Sequence, residues 1–124
     1  MGKLVRGGLT VPDVPYGDSV KAGDLVGWSA GKLVRASGNA GAPIEAAGIA
    51  AASYRSGDVG SMHLMGEVGG FAGLTPGETE YLSLTTPGGI QSTYPSGVGS
   101  VLQVVGFAVA ADRVAVVIGA ASYL

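Results

Sequence analysis

The chain has 124 residues, enough for one domain with a substantial core. Gly fills 23 positions and charged residues only 13%, against 47% apolar, a balance that excludes intrinsic disorder; the glycines have no period of three, which excludes collagen. Seven Lys and Arg against nine Asp and Glu give a net charge of −2, with no basic stripe to track a phosphate backbone and too few charges to solvate several amphipathic helices.

Residues 1–15 carry Pro12 and Pro15 and read as an extended N-terminal arm, leaving 16–124 as a single β domain. From there Gly-containing turns recur at roughly 8–12-residue spacing, the signature of an all-β sandwich or barrel. They include Tyr16-Gly17-Asp18, Ala22-Gly23-Asp24, Ala30-Gly31-Lys32, Ser56-Gly57-Asp58 and Thr75-Pro76-Gly77. Between such turns lie apolar runs at 25–28, 32–35, 62–65, 81–84, 102–110 and 114–118, rich in strand-forming residues. Residues 44–53 are Ala-rich and suit a short helix, but Gly48 inside them favours a strand. The most apolar stretch, 101–118, is interrupted by Gln103 and by Asp112-Arg113, so it reads as a pair of buried strands and not as a membrane span. The expected fold is all-β: a small sandwich or barrel of short antiparallel strands.

A common grammar runs through both halves of the chain. A Gly turn leads to a strand, a second Gly turn and strand, then a Φ-Gly-Φ-Ala strand (Ala47-Gly48-Ile49-Ala50; Val105-Gly106-Phe107-Ala108), a charged turn and a last strand. Two readings stand: two similar half-sheets around one core, or chance matches of the kind any Gly-rich β protein offers.

Chemistry-bearing constellations are sparse. His63 is the single histidine, so a catalytic triad would need it with Ser61 and Asp58; no strained nucleophile elbow accompanies them, and a strand histidine at a surface or subunit contact is the simpler reading. One His, no Cys and isolated Asp residues match no zinc or EF-hand pattern and allow no disulfide. Gly97-Val98-Gly99 lacks the third glycine of a dinucleotide fingerprint and reads as a hairpin loop. Glu78 and Glu80 share one strand face; paired carboxylates suit acid–base work, but a solvated strand start is the plainer role. Trp28, Tyr54, Tyr81, Tyr94 and Tyr123 are able to stack sugars but more often fill β cores or subunit interfaces. Met62 and Met65 read as core filler. No secretory h-region opens the chain.

A folded chain of this mass exposes about 6,000 Å². Sixteen charges cover that area thinly, and short strands leave edges that need covering. Both facts point to burial of part of the surface in an assembly.

The strings Gly73-Leu74-Thr75-Pro76-Gly77-Glu78-Thr79-Glu80-Tyr81-Leu82-Ser83, Thr86-Pro87-Gly88-Gly89-Ile90 and Val104-Val105-Gly106-Phe107-Ala108 resemble a β module of tailed-phage structural proteins. With Asp18-Ser19-Val20-Lys21-Ala22-Gly23-Asp24-Leu25-Val26, Ala47-Gly48-Ile49-Ala50 and Ser56-Gly57-Asp58 leading to Glu67-Val68, the chain is similar to small capsid decoration (cement) proteins over roughly residues 16–119. The resemblance implies a homotrimer bound to the major capsid protein shell on the outer face of the virion, assembled in the host cytoplasm. It implies no enzyme activity, no cofactor or metal, and no nucleic-acid or membrane partner. On this reading the arm residues Lys3, Leu4, Val5, Arg6, Leu9 and Val11 are expected to contact the capsid, and Trp28, Tyr54 and His63 to form the trimer interface. The alternative is a tail-fibre or head-appendage module that binds host glycan. Fibre modules usually follow a long upstream chain, whereas this one starts with its own Met and a short arm, which favours cement.

Overall fold

The computed structural model describes the backbone over residues 4–124 and the side chains from residue 9 onward. The described residues form eleven strands and no helix, so the fold is all-β. In chain order they are β1 (Leu4–Pro15), β2 (Leu25–Ser29), β3 (Lys32–Arg35), β4 (Gly48–Ala50), β5 (Val59–Gly69), β6 (Thr79–Leu82), β7 (Ile90–Gln91), β8 (Val101–Leu102), β9 (Val104–Ala110), β10 (Arg113–Val117) and β11 (Ser122–Tyr123). Nine of them make one curled antiparallel sheet, a half-barrel ordered β3-β2-β4-β5-β10-β9-β6-β7, with β1 added on β5; β8 and β11 pair separately.

That order is the same from either end. Each half contributes an outer hairpin (β2–β3 and β6–β7), then a Φ-Gly-Φ-Ala strand third from its end (β4 and β9), then a strand that meets its counterpart at the centre (β5 and β10). The cross-strand pair Val26↔Gly48 in one half answers Glu80↔Gly106 in the other. The two halves share this strand order within one continuous sheet that packs two buried clusters, not as two half-sheets around one core.

The local chemistry explains the elements. Ala30 and Gly31 both take positive φ (51° and 79°) between Ser29 and Lys32, which is a two-residue type I′ turn matched to the twist of the β2–β3 hairpin. The Ala-rich segment 44–53 is extended at β4 because tertiary pairing overrides helix propensity: Gly48 lies so close to β5 that an added Cβ would sit 2.6 Å from the His63 carbonyl oxygen. The stretch 104–117 is the antiparallel pair β9–β10, turning at Ala111-Asp112. No helix among the described residues is long and apolar enough to cross a membrane.

Two buried clusters hold the sheet. One gathers Val14, Tyr16, Val20, Val26, Leu33, Ala50 and Met62. The other gathers Leu25, Ala36, Ala46, Ile49, Val68, Leu82, Val101, Val105, Val114 and Val116. Neighbours on β2 (Leu25, Val26) and on β4 (Ile49, Ala50) point into opposite clusters, so both faces of these strands are buried. The tyrosines of the first cluster clasp one residue: the Tyr16 hydroxyl donates to the Ser61 carbonyl at 2.7 Å, and the Ser61 N–H donates to the Tyr54 hydroxyl at 2.9 Å. Their rings lie 4.5 Å apart, and Gly60 leaves the space Tyr54 occupies.

The expectation of a free arm needs correction over residues 4–15. The segment is extended, but it is paired along β5 from Leu4↔Val68 to Pro15↔Val59, with several register shifts that accommodate its prolines and Asp13 at φ 57°. Val14 belongs to the core, and the Tyr16–Leu33 bridge ties the end of the segment to β3. Gly97-Val98-Gly99 is a loop but not a hairpin loop, because β7 pairs with β6 and β8 pairs with β11.

Candidate assembly surface

β5 is flanked on both sides. Met65 faces Leu9 of β1 across one edge and Val117 of β10 across the other, so the three side chains stand in one cross-strand row. All three are exposed, Leu9 at 55%, Met65 at 49% and Val117 at 53%. Alternation along β10 sends Val114 and Val116 into the core and leaves Ala115 and Val117 on the outer side. The next row on that side runs Phe107, Ala115, Glu67, with Phe107 exposed. A register shift between Glu80 and Tyr81 on β6 turns Val104 of β9 outward as well. Among the described residues, Arg113 Nη1 donates to Glu67 Oε1 at 2.6 Å on this face, and Thr79 is exposed beside Phe107. An antiparallel sheet face turned to water is ordinarily polar. Five large apolar side chains grouped on one face are the pattern of an interaction surface.

The residues expected at contacts distribute unevenly. Lys3 and the side chains of Leu4, Val5 and Arg6 lie outside the described residues; the backbone of Leu4 and Arg6 pairs with Val68 and Glu67. Leu9 is on the apolar face, whereas Val11 packs against the first core cluster. Of the expected trimer contacts, Trp28 is exposed at 49%. Tyr54 and His63 are instead engaged inside the chain. Tyr54 stacks on Tyr16, and buried His63 shares a 2.8 Å hydrogen bond between Nδ1 and the Thr10 hydroxyl. Burial holds the His63 imidazole below its ordinary pKa. Asp58 accepts from the Arg55 N–H at 2.8 Å and is bound to its own turn, so Asp58, Ser61 and His63 are not assembled as a relay.

Two sequence expectations are corrected here. Met62 is core, but Met65 is the centre of the exposed row; their spacing of three residues in a strand already puts them on opposite faces. Glu80 is not at a solvated strand start. It is fully buried, on the same strand face as Leu82, and the Ser92 hydroxyl reaches Glu78 Oε1 at 2.7 Å and Glu80 Oε1 at 3.1 Å. One hydroxyl carries one proton, so Ser92 donates to one carboxyl at a time, and buried Glu80 holds a proton more readily than Glu78. Burial, with Glu78 alongside, pushes the Glu80 carboxyl up to about 7, while the Ser92 hydrogen bond holds Glu78 below its ordinary value. With no exposed surface, the Glu80 carboxyl is out of reach of a substrate.

No protein-family model matches the chain, and no curated protein matches it.

Proposed function

We propose that this chain is a structural protein that works by assembly: a trimeric decoration protein that binds the outer face of a tailed-phage head and holds neighbouring capsomers together. The observation that carries the reading is the row Leu9–Met65–Val117 with Phe107 and Val104 beside it, an apolar face on a chain with few charges. Covering that face with copies of the same chain removes it from water and supplies the association energy. The resemblance of its turn-and-strand strings to cement proteins supplies the shell as partner.

The mechanism requires no bond chemistry. A trimer seated where capsomers meet touches several of them at once, so weak individual contacts act together through high effective concentration. With few charges available, attachment rests on apolar and backbone contacts and depends weakly on salt. The test is to heat particles with and without the protein and record genome release. Release at a higher temperature with the protein present is expected; release at the same temperature overturns the cement reading.

A further inference from the structure

A second surface lies apart from the apolar face and shares no residue with it. Trp28 and Ser29 at the end of β2, Pro43, Glu45 and Ala47 on the connection before β4, and Tyr123 of β11 enclose an open cleft of about 380 Å³. Trp28 and Tyr123 are half-exposed, at 49% and 56%. The Tyr123 hydroxyl donates to Glu45 Oε2 at 3.0 Å, which ties the two side chains together at the cleft.

The cleft's backbone is held by hydrogen bonds to neighbouring strands. Trp28 stands two residues before the tight Ala30–Gly31 turn, and Tyr123 pairs with Val101. The connecting segment is pinned three times: Ser37 and Ile44 exchange both backbone hydrogen bonds, Gln103 grips Ala46, and the Ala47 N–H donates to the Val26 carbonyl at 2.7 Å. Such a site binds without paying much ordering entropy.

The chemistry selects the ligand class. Two aromatic rings offer flat apolar faces, while a carboxylate, a phenol and a serine hydroxyl offer hydrogen bonds at their edges. That is the complement of a pyranose ring, with its C–H face and its rim of hydroxyls. No Lys or Arg lines the cleft among the described residues, which disfavours phosphates and acidic sugars. The volume is within the range of small-ligand sites and far exceeds what one ammonium group fills. We propose that the Trp28–Glu45–Tyr123 cleft is a binding site for a neutral saccharide of one or two hexopyranose units. This rests on the cleft alone and stands or falls independently of the assembly reading.

Trp28 is the chain's single tryptophan, so its fluorescence reports this cleft directly. The full chain is titrated to high millimolar concentration with methyl glucoside, methyl galactoside, methyl mannoside, N-acetylglucosamine, lactose, maltose and cellobiose. At least one is expected to give a saturable change. Glu45→Gln and Tyr123→Ser, which keep the fluorophore, are expected to weaken that sugar by about tenfold or more, with circular dichroism confirming an unchanged fold; Met65→Ser on the apolar face is expected to leave it unaltered. The proposal is overturned by three results: no saturable change with any of these sugars, a change that survives both cleft substitutions, or a response to tetramethylammonium or arginine without one to sugar.

Discussion

The carboxamide of Gln103 pairs with both backbone polar groups of Ala46. Its Oε1 accepts from the Ala46 N–H at 2.8 Å, and its Nε2 donates to the Ala46 carbonyl at 2.9 Å and to the Gly119 carbonyl at 2.9 Å. A side chain thus does the work of a strand, joining the segment before β4 to the C-terminal half across a buried gap. Gln103→Leu leaves one N–H and two carbonyls without these partners inside the core. The expected cost is about 2–4 kcal/mol, read as a lower denaturation midpoint with an unchanged denaturant slope. A loss under about 0.5 kcal/mol, the scale of an ordinary surface substitution, would show that the clasp is dispensable.

Glu80 sets a pH dependence whose sign is opposite to that of an ordinary salt-bridged carboxylate. Its pKa rises from 4.5 when unfolded to about 7 when folded, so the folded state binds the extra proton between those values. The stability associated with that proton is present below pH 4.5 and lost as pH rises through about 7. His63 acts the other way: its depressed pKa withdraws stability as pH falls below 6.5. Across pH 4.5 to about 7 Glu80 contributes a fall in stability as pH rises, so the melting temperature of Glu80→Gln relative to that of the native chain should climb across this interval and level off above it. A difference between the two chains that stays constant across this interval would contradict a raised Glu80 pKa.

Ala30 occupies a left-handed conformation that suits Asn or Gly far better. Ala30→Asn creates the Asn-Gly pair preferred in type I′ turns. It should stabilise the chain by roughly 0.5–1 kcal/mol, or a few degrees in melting temperature. An unchanged or lower melting temperature would place the turn in another geometry.

Removing residues 2–13 distinguishes a paired strand from a free arm. Here the deletion strips β5 of its β1 neighbour along much of its length and removes Val11 from its packing against the first core cluster. Calorimetry should record a drop in melting temperature well beyond a few degrees. Full retention of stability would restore the free-arm interpretation.

Turn chemistry and alternation made most of the β-sheet legible. Val114 and Val116 alternate inward as an antiparallel strand requires, and the Gly turns fall between the strands they separate. Alternation assigns faces, however, and does not say what covers them. Val117 and Met65 look like core residues by type, yet both are exposed among the described residues. Glu80 shares its parity with buried Leu82 and points inward with it, against the solvated position that a carboxylate suggests. Pro12 and Pro15 suggest an extended arm, and an edge strand with bulges accommodates both while pairing with β5. Gln103 was visible only as an interruption in an apolar run; its partners lie 57 and 16 residues away in sequence.

Sedimentation velocity at micromolar concentration tests the assembly account most directly. The account predicts one species of three times the 12.2 kDa protomer mass, reduced to the protomer by Met65→Glu combined with Val117→Glu on the exposed row. A native chain that sediments as a 12.2 kDa monomer would contradict it.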